Sequence, residues 1–367
     1  MSRIEDFILL NTVEGLGFRK LEKLLNVFKD TSGILKARKT ELSAIDGIDK
    51  DLAERITGLD RSKLSKELRI MEKIGARAVS IFSDDYPENL KTIYSPPILI
   101  YVKGEIKAED ADAVAIVGTR RPTYYGMSTC ERLAFELASR GITVISGLAR
   151  GVDTMAHRGA IKSGRTIAVL GSGLNYVYPP ENRKLADEIC ERGILVSEFP
   201  ANTPPYKFNF PRRNRLISGL SLGVLVVEAS ERSGSLITAN FALEENRELF
   251  AVPGQAGSTK SAGSNNLIRE GAKLVENIDD ILIEIEHNLK YRKDIYKAKT
   301  GQSKTISDTI LTDEEKRIKS LLSYEPLYID ELIRRSNMSA GKASSLLLGL
   351  ELKDVIKQLP GKNFVLK

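Results

Sequence analysis

Apolar and polar residues change rhythm several times along the chain. Over residues 1–60 the apolar positions fall three and four apart, the spacing of amphipathic helices. Two phrases of like form punctuate them, VEGLGFRKLEKLL and IDGIDKDLAERI, each running from an apolar residue through a glycine turn into a helix. Residues 61–111 hold a charged helix, a proline-broken stretch and one strand, ILIYV, and read as a lead-in to the next domain. Over residues 112–288 short β-branched runs recur: AVAIVG, ITVISG, TIAVLG, ILVSEF, GVLVVEA and LFAVPG, with helical segments between them. Continuous apolar strands alternating with helices predict an α/β fold with a doubly wound, mostly parallel sheet. Ligands of such sheets bind in the crevice at the strands' carboxyl ends. Residues 289–308 are a lysine-rich polar linker. Residues 309–367 fit three helices and a hairpin turning at Pro360-Gly361, a winged-helix plan. Thr312 with Glu315 makes a capping box, and Ser339 caps the third helix. That helix has a single basic residue near its start, Lys342, which favours packing or partner binding over reading duplex DNA.

A length of 367 residues exceeds what one core usually supports, so two or three domains are expected. No apolar run approaches the roughly 18 to 20 residues that span a bilayer. Glu5 and Asp6 interrupt the short apolar stretch at the start, so we expect no signal peptide, no membrane partner and a cytoplasmic location. Cys130 and Cys190 sit in helices without CxxC or histidine neighbours, which argues against a disulfide framework or a zinc site. The net charge of +6 favours anionic partners, provided the positive residues gather on surfaces that can face one.

Cofactor chemistry fits poorly. GTRRPTYYG follows a strand and opens a helix, but it lacks the GxGxxG spacing, and Ser146 stands where a ribose-binding carboxylate belongs. No GxxxxGK[ST] phrase occurs. The loop does place Arg120 and Arg121 beside backbone amides that can take an anion. His157 lies four residues after Asp153, on one helix face. With no third ligand nearby a metal is not expected, and the pair reads as a helix-start carboxylate with a partly buried histidine partner. SGSLITA offers an anion seat at a helix N-terminus, with Ser235 and Thr238 equally suited to capping, and Glu244 and Glu245 too far along to act there. No catalytic residue and no cofactor are therefore expected.

The basic, aromatic stretch KFNFPRRNRLISGL carries the most chemistry. Lys207, Phe208, Phe210, Arg212, Arg213 and Arg215 are expected on a loop entering a helix at the crevice edge. Cations at phosphate spacing with rings between them are the ingredients of sequence-tolerant single-strand binding. Arg215 and Arg213 have another use open to them, pairing with Glu198 or Glu228, and Phe208 is open to being core. The glycine-turn phrases near the start have the form of helix-hairpin-helix elements. Gly15 and Gly17 suit phosphate in the first copy, whereas Asp49 would repel it in the second.

VGTRRPTYYG, SGLARGVDTMAHRGAI, AVLGSGLNYVYPPEN, SEFP, FPRRNRLISGLS, VVEASERSGSLITANFALEENRELFAVPG and GSNNLIREGA, in that order, resemble the DNA-processing protein family DprA, also called Smf. The resemblance implies an extended Rossmann-like domain, with a small all-α domain before it and a winged helix after it. It implies binding of single-stranded DNA without hydrolysis, protection of incoming strands, loading of the recombinase RecA during natural transformation, and a homodimer. Carried over by motif, the DNA site comprises Arg120, Lys207 and Phe210, with Gly118 and the Ser146-Gly147 turn letting the backbone approach; Arg212 and Arg213 are added for phosphate. Two rivals remain: a nucleotide phosphoribohydrolase of the lysine-decarboxylase-like fold, and a scaffold with no DNA affinity. The first lacks its PGGxGT-x-x-E phrase here.

Overall fold

In the computed structural model, which describes residues 3–291, 311–353 and 355–366, the chain divides into two compact units. One comprises residues 1–122 and 130–293, the other residues 123–129 and 294–367.

The first unit opens with five short helices, α1 (Ile4–Asn11), α2 (Phe18–Phe28), α3 (Thr31–Lys36), α4 (Lys39–Ser43) and α5 (Lys50–Thr57). The two like phrases fold alike: Gly15 and Gly47 turn the chain with φ of 87° and 85° ahead of α2 and α5. Asp49 accepts from Leu52 N at 2.7 Å, so the carboxylate in the second copy caps its own helix. Then come α6 (Ser62–Ile74), β1 (Ala76–Ser80), α7 (Glu88–Lys91) and β2 (Leu99–Gly104). The alternating part begins with β3 (Ala113–Val117), α8 (Tyr124–Ser139), β4 (Thr143–Ser146), α9 (Val152–Ser163), β5 (Thr166–Val169), α10 (Arg183–Arg192) and β6 (Ile194–Ser197). It continues through α11 (Asn209–Gly219), β7 (Gly223–Val226), α12 (Ser235–Glu244), β8 (Glu248–Ala251), α13 (Ala262–Arg269), β9 (Lys273–Leu274) and α14 (Asp279–Ile285).

The nine strands form one sheet in the order β1-β2-β6-β5-β4-β3-β7-β8-β9. From β6 to β9 all neighbours are parallel, while β1 and β2 add an antiparallel edge, so the segment read as a lead-in contributes two strands to the main sheet. Successive strand residues face opposite sides, and the core divides accordingly. Ile100, Val102, Ile167, Val169 and Val196 pack with Leu216 and Ile217 of α11 and Ala239 of α12. Leu99, Tyr101, Ala168 and Leu195 pack on the other side with Leu185 and Ile189 of α10, and with Phe7, Leu21, Leu24 and Leu52 of the first helices. The helical N-terminal region thus shares its core with the sheet.

Strand order reverses at β3. Strands β4, β5 and β6 are laid down to one side of it, and β7, β8 and β9 to the other. That reversal is a topological switch point, where the loops leaving adjacent strands diverge and leave a crevice.

The second unit holds α15 (Asp313–Leu321), β10 (Leu327–Tyr328), α16 (Ile329–Ser336), α17 (Ala340–Leu352), β11 (Ile356–Leu359) and β12 (Asn363–Leu366). Its sheet has three strands, one more than expected, in the order β10-β12-β11. Thr312 and Glu315 form the reciprocal box, Thr312 N donating to Glu315 Oε2 at 2.8 Å and Glu315 N to Thr312 Oγ1 at 3.2 Å. Ser339 caps α17, and Lys342 is paired with Glu314. Ile318, Leu332, Leu347, Leu350 and Phe364 make a core of its own. Of the expected linker only Leu289 to Tyr291 are within the described residues; the Lys290 and Tyr291 amides donate to Asp112 at 2.7 and 2.8 Å. Among the described residues no helix is long and apolar enough to cross a membrane.

Candidate nucleic-acid interface

A cleft of about 710 Å³ opens at the switch point, walled by the loops after β3 and β7 and by the first turns of α9, α11 and α12. Helix α11 sets its chemistry. It begins at Asn209, so Arg212, Arg213 and Arg215 lie within the helix and not, as the sequence suggested, on the loop before it. Pro211 stands in the first turn, where the missing N–H costs no intrahelical bond.

The helical period sends the three arginines to different places. Residues 213, 216, 217 and 220 share one face; Leu216, Ile217 and Leu220 are core, and Arg213 beside them is only 4% exposed. Its Nη1 donates to the carbonyls of Gly147, at 2.6 Å, and Val169, and its Nε donates to Asn214 Oδ1 at 3.1 Å. Burial pulls the Arg213 guanidinium down to about 10, with Asp153 opposing the fall and Arg120 adding to it. Burial likewise pushes the Asp153 carboxyl up, and Arg213 is the strongest influence holding it down. Arg215 pairs with Glu198, one of the two partners expected, and donates to Ser95 O at 2.6 Å. Arg212 is exposed, its guanidinium 5.4 Å from the centre of the Phe199 ring.

The small residues of the expected site turn out to fit protein against protein. Ser146 is fully buried, and its hydroxyl donates to Ile116 O at 2.6 Å. Gly147 is buried too, and a Cβ there would overlap the Arg213 guanidinium. The turn therefore admits a buried arginine and leaves a strand no direct approach. Gly118 does line the cleft, but a Cβ there would lie 2.6 Å from Val152 Cγ2, so its smallness seats β3 against α9.

What faces the cleft is narrower. Arg120, at the end of β3, and Lys207, just before α11, are exposed, line the cleft, and have no ion-pair partner among the described residues. Phe210 lines the same cleft and is half-buried. Its ring centre is 5.9 Å from the Arg120 guanidinium, 6.0 Å from that of Arg213 and 5.7 Å from the Tyr178 ring. Gly171 lies under its edge, where a Cβ would come within 2.8 Å of the ring. On the opposite wall Ser233, Gly234 and Ser235 open α12, with the two hydroxyls 2.7 Å apart and no side-chain cap from Gly234. The first amides of that helix form a seat for an anion.

His157 has a different partner from the one expected. It is fully buried, its Nδ1 lies 2.7 Å from Thr166 Oγ1, and burial lowers it to about 3, so it is neutral. Asp153 instead accepts from Ala149 N at 3.3 Å and faces Arg213. Two features of the site escape a reading of the sequence. Tyr178 is visible there only as an aromatic on a loop predicted at this edge. Asp153 as counter-charge to Arg213 joins residues 60 positions apart, which no local pattern shows.

Fold and cleft together define a doubly wound α/β protein whose switch point carries two exposed cations and an aromatic ring. The family model for DNA recombination-mediator protein A matches residues 77–286, and that for the DprA winged helix domain matches residues 302–362. Protein Smf of Escherichia coli is 37% identical over 331 residues, 89% of this chain and 88% of the relative. DNA processing protein DprA of Bacillus subtilis is 44% identical over 232 residues, 62% of this chain and 78% of the relative. The chain belongs to the DNA recombination-mediator protein A family, the DprA/Smf proteins. Among solved structures, DprA from Streptococcus pneumoniae superposes with a TM-score of 0.68 at 37% identity, covering 77% of this chain and 99% of that one. A Helicobacter pylori DprA structure, described for its single-stranded DNA binding mode, gives 0.53 at 32% identity, covering 58% of this chain and 98% of that one.

Proposed function

We propose that this protein is a single-stranded DNA-binding recombination mediator without catalytic activity, which protects incoming strands and loads RecA onto them during natural transformation. It works in the cytoplasm as a homodimer, so that two clefts engage one strand or neighbouring strands. The observation that carries the reading is the composition of the cleft around Phe210: two exposed cations without an ion-pair partner among the described residues, Arg120 and Lys207, line the same cleft as one half-buried ring at the switch point. Phosphates of a strand are neutralised by the cations, and a base stacks on the ring, a combination that tolerates any sequence because every base has a π-face. The single-strand binding described for the H. pylori relative supports a single-stranded ligand for this chain.

Arg120→Ala and Lys207→Ala test it. Each weakens binding to all sequences alike and lowers the slope of log K against log salt by about 0.7 per lost phosphate contact. Wild-type affinity and slope in both variants would place the strand elsewhere. RecA filament formation on strands pre-bound by the wild type, compared with the two variants, tests the loading step.

A further inference from the structure

Two aromatic rings stand in the open on the turn that carries Lys207. Tyr206 is 50% and Phe208 63% exposed, so Phe208 is not the core residue it had seemed free to be. Their rings stack, with centroids 5.4 Å apart and planes within 8° of parallel. Two backbone bonds within the turn hold its shape, Tyr206 N donating to Pro204 O at 2.9 Å and Asn209 N to Tyr206 O at 3.0 Å, and Asn209 is buried. The pair is continuous with the cleft, since Pro205, Lys207 and Phe210 all line it. From Phe199 to Val227 the chain has no acidic residue, so these rings sit in a stretch charged only positively.

We propose that Tyr206 and Phe208 form a second stacking platform, which receives a nucleobase of the same single strand outside the cleft. Their rigid setting lowers the ordering cost of binding, and their outer face is a flat apolar surface of the size of a base. Lys207, between them in sequence, meets the phosphate that joins the base on this platform to the base on Phe210. The inference rests on the single-strand reading above.

The chain contains no tryptophan, so Phe208→Trp introduces a sole reporter. Full-length Phe208→Trp is titrated with a thymidine oligomer and with an abasic oligomer of equal length. Quenching by the first and not the second is the expected result. In a Tyr206→Ala/Phe208→Ala double variant, affinity for the thymidine oligomer falls about fivefold or more. Its abasic affinity and salt slope stay at wild-type values, because no phosphate contact is removed. Tight binding of the thymidine oligomer without quenching, or a double variant of wild-type affinity, overturns the platform alone. A wild type that binds no single strand overturns the underlying reading along with it. Loss of self-association in the double variant with DNA affinity intact assigns the rings to a second copy of the chain, and also overturns the platform.

Discussion

Replacing Arg213 by Met separates a structural guanidinium from a DNA ligand. The side chain is 4% exposed, donates to the Gly147 and Val169 carbonyls and faces buried Asp153. Methionine preserves much of the volume but removes the charge and both donors. Asp153 then loses the strongest positive charge acting on it, and the Gly147 and Val169 carbonyls lose their buried donor, at a cost of about 1 to 3 kcal/mol. Adding Asp153→Asn removes that carboxyl, so the double variant is more stable than the sum of the single losses by about 1 kcal/mol or more. Urea unfolding of all four proteins at neutral pH gives the cycle, read from midpoints at constant m. Single-strand binding under native conditions adds the functional readout. Affinity drops as Phe210 loses its footing, yet the salt slope stays at the wild-type value, because Arg213 touches no phosphate. A stability loss under about 1 kcal/mol together with a slope lowered by about 0.7 would mean that the guanidinium leaves its buried seat and reaches the strand.

Two further substitutions probe the same floor. Buried His157, held at about 3 against an ordinary 6.5, binds its proton only when unfolded over that range. Its contribution is complete above the unfolded value and is lost as pH falls below 6.5 toward 3. Between about pH 7.5 and about pH 5.5 the wild type therefore loses about 1.4 kcal/mol that His157→Gln does not, as urea unfolding at the two pH values will show. Gly147→Ala forces a methyl group into the Arg213 guanidinium and costs about 1 to 3 kcal/mol. Calorimetry should find that loss reduced when Arg213→Met is already present.

Six of the seven parallel strands were legible because they are short apolar runs, mostly β-branched and buried, a pattern that needs no tertiary information. Strand β1 was not, since ARAVS is exposed at Arg77 and buried only at its last two residues, and β9 has just two residues. The start of α11 was hidden by Pro211, which reads as a breaker although it is tolerated in a first turn. The signal that would have corrected this lay in the spacing 213, 216, 217 and 220: it is a helical apolar face with an arginine in its first place. Arg120, Lys207 and Phe210 were readable as chemistry. That Gly147 serves the buried arginine depends on a contact across 66 residues, which appears only in the fold.

The buried arginine also explains why the cleft is primed for an anion. Two guanidinium groups, those of Arg120 and Arg213, lie within 6.0 Å of the centre of one ring; burial is the main cause of the lowered proton affinity of Arg213, Asp153 opposes it and Arg120 adds to it. Asp153, which also lines the cleft, is the counter-charge to Arg213; it is itself desolvated and accepts from the Ala149 amide. Of the cations at the cleft, Arg213 is fixed by two carbonyls, while Arg120 and Lys207 are free to adjust to a ligand. A phosphate arriving at Arg120 therefore meets the field of two guanidinium groups, in addition to making its own contact. That gain belongs to the bound state alone, so an anion that takes the cleft would stabilise the folded protein by mass action. The fixed charge supplies the field, and the two adjustable charges supply the contacts.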